Sequence, residues 1–104
     1  MYLILWEYQV KAEHAAEFER IYSPDGPWVK LFRRSEGYLG TQLSHDPGHP
    51  HHYLTLDRWA SSRDYEAFLT RWKSEYKNLD KECEGLTERE TLLGRWELLS
   101  PETE

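Results

Sequence analysis

The sequence predicts an α+β domain in the order strand-helix-strand-strand-helix-strand, its four strands forming one antiparallel sheet with both helices on one side. Three observations carry this. Tyr2 to Val10 alternates between two faces with a period of two, two further alternating segments flank the turn-forming stretch Asp46-Pro-Gly-His-Pro50, and an apolar stripe with helical spacing follows Ser61.

In the first strand Tyr2, Ile4, Trp6, Tyr8 and Val10 share one face, while Leu3, Leu5, Glu7 and Gln9 share the other. From Glu13 the spacing lengthens to three and four residues through Ala15, Phe18 and Tyr22. Ser23-Pro-Asp-Gly-Pro27 interrupts this pattern before Trp28, Leu31 and Phe32 resume it, so the first helix is expected in two pieces. The second piece should start near Asp25 or Gly26, with Pro27 in its first turn. Gly37 separates it from a short strand, Tyr38 to His45, which should pair as a hairpin with His52 to Trp59. Ser61 is placed to cap a second helix with Asp64 three residues on. Tyr65, Phe68, Leu69, Trp72, Tyr76, Leu79 and Cys83 then fall on one stripe, and Gly85 is placed to end it. Glu90 to Leu99 reads as strand four, with Leu92, Trp96 and Leu98 on one face and Leu93 and Leu99 on the other. One domain over residues 1–99 accounts for these elements, and 100–104 read as a frayed acidic tail.

The order is that of a ferredoxin-like βαββαβ sandwich. Two helices cover only one face of its sheet, yet strands one and four carry large apolar residues on both, which in a monomer would be an aggregation hazard. Pairing of the open face with that of a second copy removes it from water, so a homodimer is expected.

Composition narrows the partners. Thirteen basic against nineteen acidic side chains leave a net charge of -6, which repels phosphate backbones, and Arg33-Arg34 is the one adjacent basic pair; nucleic acid is not an expected partner. Tyr2 to Trp6 is too short to cross a membrane and lacks the basic start and cleavage site of a secretory signal, so a cytoplasmic protein without membrane association is expected. The lone Cys83 sits in no metal spacing and agrees with a reducing compartment; its plain reading is a small helix side chain.

Three groups of residues carry the resemblance to a known family. They are Trp6-Glu7 in strand one, Phe32-Arg-Arg-Ser-Glu-Gly-Tyr-Leu-Gly40 entering strand two, and Tyr53-Leu-Thr-Leu-Asp-Arg-Trp59-Ala-Ser61 before helix two, with Tyr65 following. In these the chain resembles the antibiotic-biosynthesis monooxygenase superfamily, which implies a dimeric α+β barrel built from two ferredoxin-like sandwiches. The superfamily contains cofactor-independent oxygenases of hydroxylated aromatics, quinol oxygenases, haem-degrading enzymes and members without known activity, so membership alone does not choose a reaction. Haem-degrading relatives use an Asn in strand one, a second Trp within helix two and a His near its end. Here those places are held by Trp6 or Glu7, Phe68 and about Asn78, so haem is not expected.

The superfamily pocket lies between sheet and helices. The resemblance therefore makes Trp59 the first candidate wall for a flat aromatic ligand, joined by Trp6, Tyr8, Trp28, Phe32, Tyr65, Phe68, Trp72 and Tyr76, although most of these rings must also build the core of so small a chain. A base that takes a phenolic proton would be Glu7, His45 or Asp57, against the plainer reading of exposed salt bridges with Arg58 and Arg95. His45-Asp-Pro-Gly-His-Pro-His-His52 concentrates four of the five histidines, but its Pro and Gly mark a solvated hairpin loop, and no metal is assigned to it. No nucleophile elbow, phosphate loop or dinucleotide fingerprint is present. The sequence reading is thus a monooxygenase acting on a phenolic or quinol-like aromatic molecule without metal, flavin or haem; the alternative is a non-catalytic binding or regulatory dimer of the same fold.

Overall fold

The computed structural model describes residues 1–99, so the expected tail at 100–104 lies outside the described residues. Four strands, β1 (Tyr2–Val10), β2 (Tyr38–His45), β3 (His52–Trp59) and β4 (Thr87–Glu97), form one antiparallel sheet in the order β2-β3-β1-β4. The first three have the bounds that alternation predicts. β4 begins earlier, at Thr87, because Val10 pairs with Thr87 and extends the ladder past the apolar segment.

Two short helices, α1 (Ala15–Ile21) and α2 (Pro27–Phe32), follow β1, and α3 (Ser62–Arg71) and α4 (Lys73–Cys83) follow β3. Gly26 caps α2 with Pro27 at its first position, as expected. A Cβ at Gly26 would stand 2.1 Å from the Ile21 carbonyl oxygen, so only glycine allows the chain to turn so tightly between α1 and α2. Ser61 accepts the Asp64 amide at the start of α3, while its hydroxyl donates to Asp64 Oδ2.

One expectation for the second helical region is corrected. The single helix is two, broken at Trp72 (φ -110°, ψ 27°), even though its apolar spacing runs on through the break. The helical region ends at Cys83, just before Gly85 as expected, and passes into a 3₁₀ turn, Glu84–Leu86; Gly40 is the glycine with a positive φ among the described residues.

The core lies between helices and sheet. The register places Trp59, Asp57, Thr55 and Tyr53 of β3 toward the helices and Arg58, Leu56, Leu54 and His52 outward. Phe18 packs on Tyr8, Tyr22 and Tyr53, while Trp59 meets Phe32, Tyr38, Tyr65 and Phe68. Such stacked, tilted and edge-on ring pairs add to the large area that each aromatic removes from water.

The outer face carries Leu3, Leu5, Leu54, Leu56 and Trp96, and no helix covers it among the described residues. Here the sequence reading of β4 is corrected. A register shift between Leu5 and Trp6 leaves Leu93 as an extra residue, so Leu92 lies opposite the inward Trp6 whereas Trp96 lies opposite the outward Leu3. Leu92 and Trp96, expected on one face, are on opposite faces. Trp96 is 60 % exposed, and its indole lies over Gly94, where a Cβ would stand 2.7 Å from Nε1.

Candidate active site

Between the sheet and helices α2 and α4 lies an aromatic slot. β1 supplies Trp6 and Tyr8, the end of α1 supplies Tyr22, and α2 adds Trp28, Val29 and Phe32. Thr41 comes from β2, Thr55 and Asp57 from β3, Tyr76 and Asp80 from α4, and Glu90 from β4. The slot holds about 440 Å³ of space between atoms, its mouth included. It is narrow, with Trp6 and Tyr8 of the sheet facing Trp28, Phe32 and Tyr76 of the helices across it.

Asp57 reaches this slot because strand alternation aims it inward with Trp59 and Thr55. It is 8 % exposed, and Thr41, directly opposite it on β2, donates from Oγ1 to its Oδ1 at 2.7 Å. Tyr38 lies 2.6 Å from the same Thr41 oxygen. Because Thr41 spends its proton on Asp57, the Tyr38 hydroxyl is the donor in that contact, giving a chain Tyr38 to Thr41 to Asp57. Burial pushes the Asp57 pKa up to about 6, an effect that the Thr41 hydrogen bond partly offsets. A carboxylate of this kind is a mild base near neutral pH.

The other polar groups share one sign. Asp80 is raised by burial and by Glu84, and Glu90 by burial and by Asp80. Tyr8 is held neutral by burial, its hydroxyl 3.3 Å from Thr55 Oγ1, and burial likewise raises Tyr22 and Tyr76. No Lys, Arg or His lines the slot among the described residues.

The remaining sequence candidates are elsewhere. Trp59 is fully buried beneath α3 and does not line the slot; its indole N–H has no partner among the described residues. Tyr65, Phe68 and Trp72 also lie outside the lining, whereas Trp6, Tyr8, Phe32 and Asp57 are brought together in it. Glu7 faces the opposite side of the sheet and meets His52 Nε2 at 2.9 Å. His45 is exposed at the hairpin, its ring 6.4 Å from that of Tyr53. Asp46 organises that loop, accepting the Gly48 amide and contacting His49 Nδ1 at 2.8 Å and His52 Nδ1 at 3.4 Å. Glu7 first and Asp46 second raise the His52 pKa. No group of three or more metal-ligating side chains is gathered among the described residues, and no helix is long and apolar enough to cross a membrane.

Sequence reasoning passed over Tyr22, Thr41, Thr55, Asp80 and Glu90. Thr55 was legible from its two-residue offset to Asp57, and Asp80 from its position one turn after Tyr76. Thr41 and Glu90 needed the strand register, which the sequence does not carry.

A four-stranded antiparallel sheet with one helical layer and an aromatic slot between them defines a small ferredoxin-like α+β domain. The chain belongs to the antibiotic biosynthesis monooxygenase family, whose model matches residues 1–75. Among solved structures it is similar to a variant of SnoaB, a cofactor-independent oxygenase from Streptomyces nogalater, with TM-score 0.81 and 14 % identity over 99 % of this chain and 97 % of that one. PA3566 from Pseudomonas aeruginosa superposes with TM-score 0.68 and 16 % identity, covering 95 % and 94 % of the two chains. At such identities the likeness speaks for the fold. No curated protein matches the sequence.

Proposed function

We propose that this protein is a monooxygenase that acts on a small phenol or quinol without a bound cofactor, with Asp57 as its base. The carrying observation is one buried carboxylate, pushed up to about 6 and bonded through one oxygen to Thr41, at the wall of a narrow aromatic slot. Trp6, Trp28 and Phe32 provide faces against which a flat ring packs while water is kept out. The free Asp57 oxygen takes the phenolic proton, and the resulting anion is electron-rich enough to meet O2. One oxygen atom ends on carbon and the other leaves as water; the substrate supplies all four electrons. Asp57, protonated by the first step, returns its proton when water forms.

Family membership supports the oxygenase class, and the solved cofactor-independent oxygenase of the same fold supports chemistry that needs no resident redox group. The slot's narrow width favours one or two fused rings. We also propose that two copies pair through the outer leucine and Trp96 face, since about 25 cal/mol per Å² of apolar surface is recovered when such a face leaves water.

The test is oxygen uptake by purified protein with a panel of hydroquinones and naphthols, beside Asp57→Asn. Uptake above the uncatalysed rate that Asp57→Asn abolishes supports the reading. Ligand binding by calorimetry without uptake from any panel member replaces it with the non-catalytic binding dimer.

A further inference from the structure

The two carboxylates at the mouth of the slot have no part in the proton transfer just described, and they make it harder. Moving a proton from a phenol to Asp57 creates a phenolate beside Asp80 and Glu90, and like charges in a partly desolvated site repel strongly. Asp80 stands on α4 one turn beyond Tyr76, Glu90 stands on β4 opposite Tyr8, and the two are near enough for Asp80 to raise Glu90. They are the two exposed residues of the lining and so mark its mouth, Asp80 from the helical wall and Glu90 from the sheet wall. The rings of Trp6, Trp28, Tyr8 and Tyr76 lie in the same cavity, and aromatic faces attract cations. Asp57, 8 % exposed, is bonded through Oδ1 alone among the described residues, leaving its second oxygen for a ligand. A cavity that combines aromatic faces, an underused buried carboxylate and a pair of acids, with no basic side chain in its lining, is matched by a ligand that brings its own positive charge.

We infer that the slot takes a phenol or quinol carrying a protonated amine a short chain away from its ring, with the hydroxyl at Asp57 and the ammonium between Asp80 and Glu90. This rests on the proposed function for the role of Asp57, and it adds the substrate class. The ammonium neutralises the mouth and offsets the phenolate that forms deeper in the slot. Lys73 and Lys77 line a shallower groove outside, which shares Tyr76 and Asp80 with the slot, and they would draw an anion toward the entrance. The two directions of selectivity are therefore opposed and measurable.

Three probes of nearly one shape separate them: tyramine, a cation; para-ethylphenol, neutral; and para-hydroxyphenylacetate, an anion. Binding to the intact protein is read by calorimetry at neutral pH and low ionic strength, with no turnover required. Tyramine should bind roughly tenfold or more tightly than para-ethylphenol, para-hydroxyphenylacetate should bind most weakly, and added salt should narrow the gap. In Asp80→Asn and Glu90→Gln the tyramine to para-ethylphenol ratio should fall by about threefold or more. A ratio is used because a general loss of the pocket lowers both affinities alike. Equal binding of tyramine and para-ethylphenol, preference for the anion, or a ratio that survives both substitutions overturns the inference while leaving the oxygenase reading intact. Absence of binding by all three overturns the inference and also removes the slot as a ligand site, a result that oxygen uptake alone would not distinguish.

Discussion

Thr41 on β2 and Asp57 on β3 are direct partners across the antiparallel ladder, and the Thr41 hydroxyl donates to the Asp57 carboxylate at 2.7 Å inside the aromatic slot. That hydrogen bond favours the ionised form, while burial, the larger influence, favours the protonated one. If Asp57 is the base, kcat/KM should rise as pH rises through about 6 and then level. Thr41→Val removes the opposing influence and should move this rise to higher pH, whereas a merely structural threonine would lower the plateau without moving it.

The same carboxylate has a cost in stability whose sign follows from its direction. A folded pKa near 6, above the ordinary 3.8, means that the native state binds the proton more tightly. The stability associated with that proton is full below about pH 4 and lost as pH rises through 6. The gap corresponds to roughly 3 kcal/mol. Asp57→Asn should therefore match the parent near pH 4 and exceed it by about 2–3 kcal/mol at pH 7 in urea titrations, while losing activity; equal pH dependence of the two proteins would contradict the burial argument.

Phe68 is 2 % exposed and packs on Phe32 and Trp59, so Phe68→Ala should cost about 3–5 kcal/mol. Lys73→Ala, at an exposed position, should lie within about 0.5 kcal/mol of the parent in the same titration.

Trp59→Ala should lower stability by a similar 3–5 kcal/mol before it touches ligand binding, because the ring is enclosed by four other aromatics and lies outside the slot lining. Unchanged ligand affinity, measured well below the variant's unfolding temperature, is the expected result. A selective loss of affinity would restore Trp59 as a pocket wall.

If the outer face pairs two copies, the parent should scatter light as a particle of about twice 12.5 kDa at micromolar concentration. Leu56→Asp, which places a charge at the middle of that face, should shift it toward monomer or aggregate. A stable dimer in the variant would move the interface elsewhere.

The strands of this fold were legible because alternation is a direct consequence of backbone pleating, so that Tyr53, Thr55, Asp57 and Trp59 had to share a face once any one was assigned. The two-piece first helix was equally plain from Pro27. What stayed hidden was irregularity without a compositional mark. Leu93 is an ordinary strand residue that happens to be unpaired, and Trp72 continues a helical stripe through a point where the helix itself stops. The slot was half visible. Its rings came from an aromatic-rich chain in which core and pocket use the same residue types, so Trp59 looked as good a wall as Trp6. Asp57 faces the slot and Glu7 faces away from it because they occupy opposite sides of the sheet, and the two exposed acids of the lining come from elements far apart in sequence.

The register shifts lie between Tyr38 and Gly40 on β2 and beside Glu88 and Leu93 on β4, the two outermost strands. An outermost strand normally offers a straight row of free amides and carbonyls onto which another chain can zip, and an irregularity there spoils the match. With both rims broken in this way, further copies are discouraged from adding side by side, and stickiness is left to the flat of the sheet. Association through a flat, across a two-fold axis, consumes the adhesive surface of both participants and halts at two. A rim that stayed regular would have no such limit, and growth into ribbons would compete with closure at two.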